Sequence, residues 1–317
     1  MKTRSLVFRG PGRVEIEDQD VAQLGPRDLL IKTQVNGICA FELHAFTGEL
    51  KIDWFPLVMG HEAVGIVADT GKEVREFKAG DKVSTLGFSN YRDFYTIDQS
   101  QAAKIPQDEI HFHHWLGEPP ACAVNAIHLL EQHNVGHRAT ILGCGFMRLL
   151  LVQLGVKRGM DILAYDLNPE RLELARQFGA RIETPEPNSQ DIVIECSGSE
   201  KGIASAEELT RNGGVLCLFA HHLPNRLCNT GLWHMKGLDV LNATPAASRD
   251  WTRDFQEAVQ YIHEGTFNLK PLITHSFPAD KPQQALEFIT RNRPKSYIKG
   301  VFTFDPQVKI DHGSEAA

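Results

Sequence analysis

Between Ala121 and Phe219, short apolar runs alternate with segments of helical period, and that alternation constrains the fold more than any other feature of the 317-residue chain. Ala123–His133 has apolar residues at helical spacing. It is followed by strand-like Ala139–Leu142, helix-like Met147–Lys157, strand-like Asp161–Tyr165 and helix-like Pro169–Phe178, and later by the apolar runs Asp191–Glu195 and Gly214–Phe219. Strands separated by helices predict βαβ crossovers, and so an α/β fold with a parallel sheet wound on both faces. Asn168 marks one helix start: its side chain can cap, Pro169 needs no N–H partner at the first position, and Glu170 follows in the first turn.

The turn after the first of these strands reads Gly143-Cys144-Gly145-Phe146-Met147-Arg148. A first glycine gives the tight turn of a dinucleotide fingerprint, and a second lets backbone approach a pyrophosphate seated at the helix N-terminus. Both are present, so Gly143, Gly145, Phe146 and Met147 are candidate cofactor contacts. Arg148 stands where the fingerprint has its third glycine, which allows close packing of helix on strand. Its side chain must point out of that packing, toward the phosphates, or push the helix away. Asp166 ends the next strand, 23 residues after Gly143. A carboxylate there accepts from ribose hydroxyls and repels a 2′-phosphate, which favours NAD over NADP. Arg171, one turn into the following helix, is grouped with these residues, although its position suits the surface better than a phosphate clamp. The reading is a Rossmann domain.

The flanking segments have a different grammar. Residues 1–110 hold short strand-like runs (Ser5–Arg9, Asp28–Val35, Ala63–Ala68, Lys82–Leu86, Asp93–Ile97) between glycine-containing turns, as in a small barrel or sandwich. Strand character returns at Leu272–Phe277 and Tyr297–Phe304, with a helix over Lys281–Thr290 between them, and Gln307–Ala317 is a polar, fraying tail. The expected domains are therefore 1–119 with 273–317, and 120–272.

Within the first segment stand Gly37-Ile38-Cys39-Ala40-Phe41-Glu42-Leu43-His44, then Gly60-His61-Glu62-Ala63-Val64-Gly65 beginning 21 residues after Cys39, then Glu118-Pro119. In these motifs the chain resembles the zinc-containing medium-chain dehydrogenase/reductases, with a GxCxxxxH context, a GHExxGxV block and the Glu-Pro of the sorbitol dehydrogenase-like branch. The resemblance runs through nearly the whole chain. It implies a GroES-like catalytic domain beside the Rossmann domain, with Cys39 and His61 as zinc ligands. Glu62 would be a third ligand or an exchangeable carboxylate, and Glu118 would replace a second cysteine. A mixed sulfur, nitrogen and oxygen set suits a catalytic zinc that keeps one position open. The resemblance further implies transfer of hydride between NAD and a secondary hydroxyl of a polyol, sugar or cyclitol-like small molecule, in a homodimer or homotetramer.

Two departures from the family bear on the chemistry. No cysteine lies between Val83 and Asp93, so the lobe that often holds a structural zinc is missing and one metal per chain is expected. Phe41 replaces the hydroxyl residue that starts the family's proton relay. Glu42 and His44 remain as outer relay candidates, and Glu62, Glu42 and His44 form the catalytic set. His221 and His222 could reach substrate or cofactor, although a solvated loop is the plainer reading. His111, His113 and His114 lack ligand spacing with a fourth group and read as packing or surface. Trp233 and Trp251 read as core or subunit contact.

A net charge of -7 argues against nucleic acid or an anionic membrane as partner. The one dense basic stretch, Arg291 to Lys299, reads as a solvated face. No apolar run is long enough to span a bilayer, and the N-terminus does not read as a signal peptide. Six cysteines without a CxxC pair point to reduced thiols in the cytoplasm. The alternatives are a metal-free quinone- or enoyl-type reductase, which the ligand set opposes, and a non-redox ligand-binding relative whose nucleotide site Arg148 has spoiled.

Overall fold

The computed structural model describes residues 1–133, 135–223 and 225–311. The chain forms two compact units, Met1–Glu118 with Asn268–Ala317, and Pro119–Phe267. The sequence suggests boundaries at 119 and 273, against 118 and 268 here. Residues 268–272 go with the first unit: Leu269 and Leu272 are buried there, and Lys270 pairs with Asp311.

The first unit opens with β1 (Lys2–Gly10), β2 (Arg13–Asp20) and β3 (Asp28–Gly37), then α1 (Ala40–Thr47), β4 (Leu57–Val58), β5 (Ala63–Thr70), β6 (Lys82–Thr85), β7 (Phe94–Asp98) and β8 (Ala102–Lys104). The second unit holds α2 (Glu118–Leu130, whose first residue belongs to the first unit), β9 (Arg138–Leu142), α3 (Phe146–Lys157), β10 (Asp161–Tyr165), α4 (Pro169–Gln177), β11 (Gln190–Glu195), α5 (Glu200–Leu209), β12 (Thr210–Leu218), α6 (Thr230–Lys236), β13 (Asp239–Asn242) and α7 (Trp251–His263). The chain then returns to the first unit with β14 (Ile273–Pro278), α8 (Pro282–Arg291) and β15 (Lys299–Thr303).

In the first unit a three-stranded sheet ordered β2-β1-β4 accompanies a larger one ordered β14-β15-β3-β5-β6-β8, with β7 also on β3. Strand β3 is central because its Leu29, Ile31 and Val35 are apolar and fully buried. One core gathers Leu6, Phe8, Phe46, Tyr91 and Phe302, and a second gathers Ile31, Val67 and Val83. The last segment is integral to this unit, since Val301 to Thr303 pair with Gly37 to Val35 of β3.

The second unit is built on a parallel sheet ordered β10-β9-β11-β12-β13. A single parallel bridge between Leu163 and Arg181 adds a vestigial strand outside β10. With that bridge counted, the order becomes that of the Rossmann fold, and the strand order reverses between β9 and β11. Ligands of such sheets bind beyond the carboxyl ends of the strands at that switch point. Helix α3 is buried through Leu149, Leu150, Leu151, Val152 and Leu154, as expected of a helix enclosed against a sheet. Among the described residues no helix is long and apolar enough to cross a membrane. Of the expected polar tail, residues 312–317 lie outside the described residues.

Candidate metal and nucleotide sites

Three donors converge in the first unit. Cys39 leaves the end of β3 and caps helix α1, while His61 and Glu62 stand just before β5. Their ligand atoms all lie within 4.8 Å of one another. Glu42, three residues into α1 and fully buried, holds this arrangement together. Its carboxylate accepts from the Cys39 N–H at 3.0 Å and the Gly60 N–H at 3.3 Å, and lies 2.9 Å from His61 Nδ1. The two loops that carry the sulfur and the imidazole are thus stapled by one side chain. The Glu42 carboxylate beside Nδ1 acts on the ring through its charge, and Nε2 is the nitrogen then left to ligate.

Glycines make room for the cluster. A Cβ on Gly37 would lie 1.8 Å from Glu62 Oε2, so only a bare backbone admits that carboxylate. Gly60 has φ +92°, and a Cβ there would meet the Tyr91 ring at 2.4 Å. Tyr91 is wholly buried and donates to the Gly37 carbonyl at 2.9 Å, which closes the floor of the site.

Charge is arranged around these donors. Glu62 pairs with Lys299 from β15 at 2.6 Å, and both side chains are buried. Lys299 was expected on a solvated face; it is instead 5 % exposed, because β15 lies inside the sheet and Glu62 compensates its charge. Burial opposes protonation of Lys299, but the neighbouring Glu62 and Cys39 outweigh it and raise its pKa. Burial likewise opposes protonation of His61, yet Glu42, the Cys39 thiol and Glu118 hold its pKa well above the ordinary range. Burial pushes the Cys39 thiol up, against the pull of His61. A divalent cation would have to displace those protons, which is how thiol and imidazole sites couple metal binding to pH. A set of one part-buried sulfur, one buried nitrogen and one buried carboxylate fits zinc.

Glu118 opens α2, half-buried, and lies outside the trio; it acts on His61 through its charge. Phe41 stands edge-on to His61 at 6.3 Å, and the exposed Phe88 tilts against the same imidazole at 5.7 Å. His44, partly exposed on α1, has its Nδ1 2.5 Å from Glu49.

The second unit carries the glycine turn. Gly143 adopts φ +93° between β9 and α3, and Gly145 caps the helix. Asp166 accepts from the Cys144 N–H at 2.5 Å and the Asn168 N–H at 2.7 Å, and so supports both loops at that end of the sheet. Arg148 does point out of the helix packing. Its Nε donates to the Cys196 carbonyl at 2.9 Å, and Nη2 reaches the same oxygen. Its Nη1 lies 2.8 Å from where a Gly143 Cβ would stand and 3.1 Å from that of Gly145. The turn thus fits a dinucleotide whose pyrophosphate meets a guanidinium in place of bare backbone.

Residues 25–107, which include Cys39, His61 and Glu62, match the alcohol dehydrogenase GroES-like domain family. Sorbitol dehydrogenase of Mus musculus is 26% identical, over 89% of this chain and 91% of its own length. A Sinorhizobium meliloti 1021 protein, named for a suspected zinc-binding dehydrogenase and solved with NADP, superimposes with TM-score 0.82 at 20% identity over 96% of this chain and all of its own. Galactitol-1-phosphate dehydrogenase from Escherichia coli gives 0.81 at 20% identity, over 95% of this chain and 100% of its own. The chain thus carries an alcohol dehydrogenase GroES-like domain at residues 25–107, is similar along nearly its whole length to sorbitol dehydrogenases, and shares its fold with solved dehydrogenases.

The structure unites Cys39, His61, Glu62 and Glu42 and leaves His44 and Glu118 at the margin. Gly143, Gly145, Phe146, Met147 and Asp166 gather at the end of β9 and the start of α3, while Arg171 is half-buried on α4. His221 is exposed, and His222 lies 3.2 Å from the buried Glu195. Trp233 joins the β11–β12 core and donates to Glu207. Lys299 was missed. Its signal is a lone cation in an otherwise apolar strand, which has to be paired if the strand is buried.

Proposed function

We propose that this chain is a zinc-dependent oxidoreductase that moves hydride between NAD(H) and the secondary alcohol or ketone of a polyol, sugar or cyclitol-like compound. The observation that carries the proposal is the buried convergence of Cys39, His61 and Glu62, with Glu42 orienting His61. Cys39 and His61 would hold the metal with Glu62, and Glu118 is a carboxylate that could exchange in. When bound, zinc supplies Lewis-acid polarisation of a hydroxyl oxygen and the nicotinamide supplies the hydride acceptor.

The chain's own residues do the rest. Glu42 fixes the imidazole, and Lys299 holds the Glu62 charge in place. Phe41, edge-on to His61, favours the exclusion of water on its side of the imidazole. Phe41 transfers no proton. Glu42 is buried and occupied by two N–H groups and His61, so it serves as a positioning group, and the titratable residue of α1 open to solvent is His44. Asp166, at the end of β10, supports NAD over NADP, since a carboxylate repels a 2′-phosphate. A homodimer or homotetramer is part of the proposal, to be read by light scattering.

A second reading rests on Arg148, whose guanidinium lies across Gly143 and Gly145. If it closes the turn, the protein binds a ligand without redox chemistry. Titration with NADH, followed by fluorescence on zinc-counted protein, decides between the two. Micromolar binding with turnover of a polyol supports the dehydrogenase, whereas zinc without NADH binding removes it.

A further inference from the structure

We propose a second metal site, made of His111, His113 and Asp311 with His114 beside them, that takes a divalent first-row transition ion such as zinc. It belongs to the first unit and does not depend on the function proposed above. The sequence reads these histidines as packing or surface, and the structure brings Asp311 from 198 residues further along the chain to meet them.

His111 caps a single helical turn, Phe112–Trp115, and Glu109 shapes that turn by accepting from the His111 N–H at 2.7 Å and the Trp115 indole at 2.8 Å. Three imidazoles are thereby presented to one carboxylate oxygen. Asp311 Oδ1 lies 3.0 Å from His113 Nε2, 2.9 Å from His114 Nε2 and 3.4 Å from His111 Nδ1. The side chain of His113 is completely buried. Asp311 Oδ2 is held at 2.8 Å by Lys270.

Hydrogen bonding alone does not account for this arrangement. One carboxylate oxygen offers about two lone pairs, fewer than the nitrogens that face it. Of the nitrogens that face it, His111 Nδ1 and His114 Nε2 are buried without a hydrogen bond of acceptable geometry, while His113 Nε2 is 3.0 Å from Oδ1 and 3.2 Å from the Asp311 carbonyl. Leaving such atoms unsatisfied is costly, and a cation between them turns the deficit into ligation. The spacing also suits it. Zinc bonds of about 2.0–2.2 Å in a tetrahedron give ligand-to-ligand edges of about 3.3–3.6 Å. The ligand atoms of His111, His113 and Asp311 lie within 4.8 Å of one another; the His111 contact with Asp311, 3.4 Å, already matches such an edge, and the 3.0 Å His113 contact would lengthen slightly on ligation. His114, on the same oxygen, orients it, and Lys270 fixes the other. Imidazole and carboxylate donors select zinc, nickel, cobalt or iron over magnesium or calcium. An ion here ties the turn at 111–115 to the 311 segment, so its role is structural.

The test uses the full-length, tag-free protein, stripped by chelation and refilled with zinc or cobalt(II). Elemental analysis should find two zinc ions per chain. Asp311→Asn and His111→Ala, both at partly exposed positions, should each lose one equivalent and keep the thiolate-to-cobalt charge-transfer absorption that Cys39 gives. Cys39→Ser should lose that absorption and keep the histidine site's equivalent. Zinc should raise the melting temperature of Cys39→Ser, and Asp311→Asn in the same background should cancel the rise. If both histidine-site variants keep the wild-type stoichiometry, or Cys39→Ser binds no zinc, the second site does not exist. Because Cys39→Ser is read alone, failure of the Cys39 site is distinguishable from failure of this one.

Discussion

Lys299→Met is the sharpest test of how the Cys39 site is held. Lys299 is 5 % exposed, Glu62 is 2 % exposed, and their charges stand 2.6 Å apart. Methionine keeps the volume of the stem and deletes the cation, leaving a buried carboxylate with no partner. Removing one member of a buried pair costs about 3–5 kcal/mol. At about 2–4 °C per kcal/mol, that lowers the melting temperature of the first unit by roughly 6–20 °C. The experiment is urea and thermal unfolding with chelator present, so that no metal rescues Glu62, with the two units fitted as separate transitions. Glu62→Gln with Lys299→Met removes both charges and should recover most of the loss, a coupling that a double-mutant cycle reads directly. The sign with pH follows from the raised lysine pKa. The pair's contribution is complete below the lysine's ordinary 10.5 and declines as pH rises toward its folded-state value. A cost below about 1 kcal/mol, or a double variant no more stable than Lys299→Met, would refute the reasoning.

Three further outcomes are expected. Arg148→Ala should weaken NADH binding by about ten- to a hundredfold, the worth of one charge-assisted hydrogen bond to a phosphate; tighter binding would identify the side chain as an obstruction. Gly60→Ala should lower the melting temperature of the first unit, because φ +92° and a ring 2.4 Å from the new Cβ are both unfavourable, together about 1–3 kcal/mol or more; an unchanged transition counts against that geometry. Burial, helped by His114, pulls the His113 pKa down to about 4 from the ordinary 6.5, so the unfolded chain takes up the proton first. Stability of the metal-free first unit should therefore be complete above pH 6.5 and fall as the pH drops toward 4, and His113→Gln should flatten that slope.

Most of the second unit was legible in the sequence, since β9, β10, β11, α3 and α4 each have the period and the caps that such elements need. Helix α7 was not assigned, although its buried Phe255, Ala258, Val259 and Ile262 recur at helical spacing. In β2 only Val14 is buried, Ile16 is exposed, and Glu15 and Glu17 pair with Arg9 and Arg13, so strand and loop look alike. Short β4 and β8 depend on their partners and have little local signal. At the site, Cys39, His61 and Glu62 were legible through their motifs. The assignment of Glu42 to fixing His61 was not, because it depends on burial and a 2.9 Å contact. Lys299 and Asp311 were missed for one reason: each acts on residues some 200 positions away, which no local window contains.

That long separation also affects how the protein is made. Glu62 and Lys299 are 237 residues apart, and β15 reaches its place beside β3 only after the entire second unit has been synthesised. Chains emerge from the ribosome N-terminus first, and domains tend to fold as they appear. The second unit is continuous and can fold while the first waits with one edge of Val35–Gly37 in β3 unpaired and a carboxylate uncompensated. A ribosome stalled before β15 would hold a finished second unit attached to an incomplete Cys39 cluster. Synthesis therefore postpones the Cys39 site until the chain is nearly released.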